Sequence, residues 1–200
     1  MSEVIYSAGL MSQSFWFIEF KKIVKLVQEG KAEDDIKKLC LEENLFGAAK
    51  AYRAKRMYQY IINRVNTMDA ELIALFMESD IATQKLINLI TILRLDRLYL
   101  EFVYEVYREK VLLGVDQLTG ADVMVFFKNK GMQSELVENW NESTKKHLRS
   151  NYLNFMLDAN LLSGDKNKRS ITPPIMDDRL VRYLDHSGET AIKKAILGVN

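Results

Sequence analysis

Between Ala48 and Met68 the chain carries five basic residues, Lys50, Arg53, Lys55, Arg56 and Arg64, and no acid. An exposed helix ordinarily interleaves acids with its bases, because opposite charges four residues apart stabilise it. At about 3.6 residues per turn, Arg53, Arg56, Tyr60, Asn63 and Arg64 fall on one strip. Ala54, Tyr58, Ile61, Ile62 and Val65 fall opposite, as a core face should. Guanidinium forks grip phosphate oxygens and a tyrosine can stack or donate, so the strip suits a nucleic-acid backbone. The alternative is a basic face that answers acids elsewhere, such as Glu33, Asp34 and Asp35 or Glu101 and Glu105.

A second basic cluster runs from Thr144 to Ser170, where Lys145, Lys146, Arg149, Lys166, Lys168 and Arg169 outnumber Asp158 and Asp165. Ser143 or Thr144 is expected to cap a helix there, which puts Lys145 and Lys146 in its first turn. The helix dipole disfavours cations at that end; a bound phosphate would reverse the penalty, and so would Glu142 without any ligand. Leu148, Tyr152, Phe155 and Met156 form the inward side of this helix, and His147, Ser150, Asn151 and Asn154 face out. In a DNA groove, His147 and the outward amides Asn151 and Asn154 are the candidate base readers; otherwise the outward residues only solubilise the helix. Arg149 sits near the apolar edge, where its stem can lie along the core. Trp140 is expected to be a core anchor.

Catalytic chemistry has little to work with. There are two histidines, His147 and His186, and one cysteine, Cys40, which reads as a small buried thiol. No phosphate-binding glycine loop, zinc-ligand spacing or nucleophile elbow occurs. Asp34-Asp35, Glu42-Glu43 and Asp177-Asp178 are adjacent in sequence, so on a helix each pair diverges and reads as a solvated face. The expectation is a protein that is not an enzyme, with no cofactor, no metal and no small-molecule substrate.

The elements that position these clusters read at helical period. Phe15–Glu29, Glu33–Glu42, Ala49–Asn66, Asp69–Glu78, Asp80–Leu93 and Asp96–Leu113 form the first half. Asp122–Lys130, Ser134–Trp140, a polar turn over Asn141–Thr144, and a helix to Asp158 follow. Two short apolar pieces then flank Gly164-Asp-Lys-Asn167, which reads as a hairpin. Asp178–Asp185 and Glu189–Leu197 are short helices. The predicted class is therefore all-α: an N-terminal helical bundle over 1–115, packed against a C-terminal helix-turn-helix or winged-helix-like module over 116–200, or one compact domain overall. Helix, helix, turn, helix and basic hairpin is the order of a winged helix, and three-helix modules of other purpose share it.

Composition is that of an ordinary globular protein, 48% hydrophobic and 28% charged, with a formal net charge of +1. Basic surface must come from uneven distribution. The most apolar stretch, Leu86–Leu93, is far shorter than the roughly 20 residues that a membrane span needs. A cytoplasmic protein without a membrane partner is expected.

These segments also resemble the BrxA family of bacteriophage-exclusion (BREX) systems. The likeness is carried by Tyr6-Ser-Ala-Gly9, Glu42-Glu-Asn-Leu45, Ala82-Thr-Gln84 and, most specifically, Trp140-Asn-Glu-Ser-Thr-Lys-Lys-His-Leu-Arg149. Leu161-Leu162, Pro173-Pro174-Ile175 and Val181-Arg-Tyr-Leu184 complete the order. Asn160 departs from it, since glycine is usual there; asparagine also tolerates the left-handed conformation that ends a helix. The resemblance implies a small component of a defence island, and no catalytic residues. Together the readings lead to a BREX accessory component that binds DNA, duplex in preference to RNA, through Arg53, Arg56, Tyr60, Arg64, Lys145, Lys146, His147, Asn151, Lys166, Lys168 and Arg169. The rival is a protein–protein adaptor that docks other BREX subunits without touching nucleic acid.

Overall fold

Every segment read at helical period is a helix, and among the described residues the strands are confined to one short hairpin. The computed structural model describes residues 6–165 and 168–199. The chain divides into two compact units, Phe15–Ile92, and Leu93–Asn200 with Met1–Ser14. Residues 93–115 thus group with the C-terminal residues. No helix among the described residues is long and apolar enough to cross a membrane.

The first unit holds α1 (Phe17–Gln28), α2 (Glu33–Leu41), α3 (Ala51–Val65), α4 (Ala70–Glu78) and α5 (Ile81–Leu95) up to Ile92. Its core is aliphatic, with Ile23, Val24, Ile36, Ile61, Leu72, Ile87 and Ile90 buried around Phe20 and Phe76, which meet edge to face at 5.5 Å. Cys40 is fully buried here, and burial pushes its thiol up to about 11, as an inert structural cysteine requires. Gln84 satisfies the C-terminus of α4: its amide donates to the carbonyls of Phe76 and Ser79, each at 3.0 Å, while Lys21 Nζ donates to its oxygen.

Trp16 stands at the N-cap position of α1, with φ 47° and ψ 44° and no capping side-chain hydrogen bond. A bulky L-residue in the left-handed region costs roughly 1–2 kcal/mol, so surrounding contacts must hold it there.

In the second unit, α6 (Arg97–Phe102) runs through a π-helical turn (Val103–Tyr107) into α7 (Arg108–Leu112). α8 (Gly120–Gly131), α9 (Glu135–Glu138) and α10 (Glu142–Asp158) follow, then β1 (Leu162–Gly164), β2 (Arg169–Ile171), α11 (Asp178–His186) and α12 (Thr190–Leu197). Tyr99, Phe102, Phe126, Phe127, Tyr152 and Phe155 form one aromatic core, with Tyr99 and Tyr152 at 4.5 Å. Lys130 is buried on α8 and donates to Glu101 and Glu105 at 2.6 Å each. The two strands pair antiparallel, Ser163 opposite Ser170. An isolated bridge from Gln117 to Ser170 adds a third strand position, with Ile171 N donating to Asp116 O at 2.8 Å.

Trp140 is half-buried rather than a full core anchor, its ring edge-on to Phe127 at 6.2 Å. Asn160 takes φ 63°, the left-handed conformation expected of an asparagine that ends a helix.

Candidate nucleic-acid interface

The α3 strip survives in part. Lys50, Arg53, Lys55, Arg56, Gln59 and Asn63 are exposed and Tyr60 is half-buried. Among the described residues no ion pair neutralises Arg53 or Arg56. Glu101 and Glu105, suggested as answering acids, are engaged by Lys130. Arg56, Gln59, Tyr60, Ile62 and Asn63 line a concavity of about 390 Å³.

Arg64 does not belong to the strip. It is fully buried, its Nη1 donates to the Phe15 carbonyl at 2.9 Å, and its guanidinium lies 5.7 Å from the centre of the Trp16 ring. Burial pulls its pKa below the usual guanidinium value. The helical wheel puts Arg64 at the border, close to buried Met57, so periodicity alone allows either side. The left-handed turn at Trp16 decides it by leaving the Phe15 carbonyl in need of donors. Trp16 in turn stacks on Tyr60, with centroids 6.0 Å apart and planes at 21°.

In the second unit the expected base-reading face is altered. Asn151 is not an outward reader: its amide nitrogen donates to the carbonyls of Leu10, Met11 and Gln13 at 2.7, 3.1 and 3.1 Å. The N-terminal strap, with its 3-10 turn Gly9–Ser12, therefore rests on α10. Sequence reading had no means of seeing a partner some 140 residues away. His147 and Lys146 are exposed as expected.

α10 also begins earlier than expected. Asn141 caps it by accepting from Thr144 N at 2.8 Å, and Glu142 occupies the first turn. Lys145 is thus the last residue of the first turn, where Glu142 offsets the dipole's penalty on a cation, and Lys146 lies just beyond it. Lys145 is half-buried, and its Nζ donates to Glu138 O at 3.3 Å.

On the hairpin, Lys168 is exposed and Arg169 half-buried; Lys166 lies outside the described residues. Burial lowers the Arg169 pKa, Asp165 opposes this, and the Arg149 guanidinium lowers it further. Arg149 and Arg169 are therefore close enough to repel. Arg149 was read from sequence as a core-edge stem, and a Cβ on Gly120 would indeed lie 3.1 Å from its Cδ. The nearness of its charge to Arg169 was the missed feature, because pairing of helix and hairpin is not local.

Residues 4–188 match the family model described as BrxA. The chain belongs to the BrxA family. A curated relative, the BREX protein BrxA of Bacillus cereus (strain H3081.97), is 31% identical over 198 residues, covering 99% of each chain. An uncharacterized protein from Magnetospirillum magneticum, known from a crystal structure, is similar at a TM-score of 0.80 and 19% identity, over 96% of this chain and 98% of that one.

Two of the segments that resemble BrxA hold the chain outside its α-helices. Tyr6 donates to Glu101 Oε2 at 2.8 Å and fastens the strap. Asn44, at φ 51°, closes its loop by accepting from Ala48 N and donating to Ala48 O.

Proposed function

We propose that this BrxA-family protein serves in a BREX phage-defence system as a non-enzymatic component that binds duplex DNA. Membership of the family supports its place among BREX proteins, which are then natural partners. The observation that carries the DNA reading is the acid-free α3, with Arg53 and Arg56 exposed and unpaired among the described residues. Such cations release condensed counterions on contact with phosphate, which drives binding regardless of sequence. The second unit adds Lys146, His147, Arg149, Lys168 and Arg169 around α10 and the hairpin.

The bridge strand at Gln117 followed by helix, short helix, helix and hairpin supports the winged-helix-like reading of 116–200, with Gln117 giving the hairpin its third strand. Duplex is preferred to RNA on that order. The strap on Asn151 confines groove contacts to the first half of α10. The protein acts in the cytoplasm on this reading.

An adaptor role is the second reading, favoured by Val125, Met132 and Leu136, which are 57%, 75% and 50% exposed on and around α8 and α9. Electrophoretic shifts with duplex DNA, single-stranded DNA and RNA across a salt series separate the two. Duplex binding that weakens steeply with salt supports the DNA reading; no binding at about 50 mM salt, where phosphate contacts are strongest, discards it for the adaptor.

A further inference from the structure

Charge alone does not account for the aromatic pair beside the α3 strip. Trp16 and Tyr60 stack, yet neither is fully buried. Trp16 is held in the left-handed region, and its ring is steadied from within the unit by the buried Arg64 guanidinium. The concavity at Tyr60 offers three kinds of group: the Arg56 cation, the two exposed amides of Gln59 and Asn63, and the apolar flank of Ile62. Its volume of about 390 Å³ lies within the range that takes a small planar ligand, roughly 300–1,000 Å³.

We propose that this concavity is a stacking site for an unpaired nucleobase, the base lying on Tyr60 with Trp16 backing the ring. Primary amides can bond the edge of a base once that edge is freed from its pairing partner. Arg56 is placed for the phosphate beside it. Phosphate contact by Arg53 and Arg56 needs no aromatic ring and no amide, whereas a base needs both, and α3 presents them on the same turns. The inference rests on the nucleic-acid reading but asks for an unpaired base where that reading asks only for phosphates.

Trp140→Phe leaves Trp16 as the only indole, so fluorescence reports on the site. The probes are a short duplex, the same duplex with one bulged thymine, and single-stranded oligothymidine, each at low and moderate salt. The site predicts quenching by the bulged duplex and the single strand. It also predicts a preference of about tenfold or more for the bulged over the plain duplex, as base–aromatic stacking supplies. Tyr60→Ala should erase that preference, and Tyr60→Phe should keep it; melting curves check that both variants fold. Equal affinity for bulged and plain duplex overturns the stacking site and leaves DNA binding standing. Tyr60-dependent binding of the single strand without duplex binding upholds the site and overturns the duplex reading. No binding of any probe overturns both.

Discussion

Arg64 and Asn88 donate to the same acceptor: Nη1 of the one and Nδ2 of the other each lie 2.9 Å from the Phe15 carbonyl oxygen. Two buried donors thus converge on the backbone just before the left-handed Trp16, and the guanidinium also lies against the indole. Arg64 is therefore a structural residue. Arg64→Ala should lower stability by about 2–4 kcal/mol, through a lost charge-assisted hydrogen bond and a cavity under Trp16. Arg53→Ala, on the exposed part of the same helix, should stay within about 0.5 kcal/mol. Denaturant melts of the two variants make the comparison, and equal effects would contradict the assignment.

Asp96 predicts a pH dependence. It caps α6 by accepting from Tyr99 N at 2.8 Å, but only 6% of it is exposed. Burial pushes its carboxyl up to about 6, against partial relief from the backbone bonds of Tyr99 and Leu98. A carboxyl whose folded pKa is raised holds its proton in the native state after the unfolded chain has released it. Its contribution to stability is therefore fullest below about pH 4 and declines as pH rises through about 6, by up to roughly 3 kcal/mol. Asp96→Asn keeps a good capping oxygen without the charge. The stability gap should move in favour of the variant between pH 4 and pH 7, as followed by urea unfolding at a series of pH values. A gap independent of pH would rule out a buried, strained carboxylate.

The strap supplies a third test. Asn151→Ala removes the amide that bonds Leu10, Met11 and Gln13, leaving Tyr6 and the buried Leu10 to hold the segment. Loss of about 1–3 kcal/mol is expected, with faster proteolytic cleavage of the first residues and faster amide exchange there. Any sequence preference in DNA binding should be unchanged, since Asn151 has no spare donor for a base. Unaltered cleavage would show that the strap is held by other contacts.

These cases show what periodicity can and cannot reveal. The helices were legible because an apolar stripe every three to four residues has one solution in water. The hairpin was legible because a polar Gly-Asp-Lys-Asn stretch between apolar pieces disfavours helix. Arg64 and Asn151 misled for one reason: each is polar at the edge of an apolar face, and its partner lies 49 or at least 138 residues away. The π-helical turn at Val103–Tyr107 was equally hidden, since its residues fit an ordinary helix and Lys130, which bonds its Glu105, lies 25 residues away. The exposure of Arg53 and Arg56 was legible, because no ion pair among the described residues draws them inward.

That last property makes them the decisive test of the proposed function. Exposed cations on an acid-free helix contribute little to the folded state, so Arg53→Glu with Arg56→Glu should leave the melting curve within about 0.5 kcal/mol of wild type. If they neutralise phosphates, the same double reversal should weaken duplex binding alike for all sequences. The log–log salt dependence should also flatten, by about 0.9 for each phosphate contact removed. Reversing Lys146 and Lys168 in the second unit gives a parallel measurement, free of the structural role that Arg64 carries. A variant that folds as wild type and binds duplex with an unchanged salt slope would clear α3 of any part in DNA contact. The same result for the second pair alone would confine the interface to the Phe15–Ile92 unit.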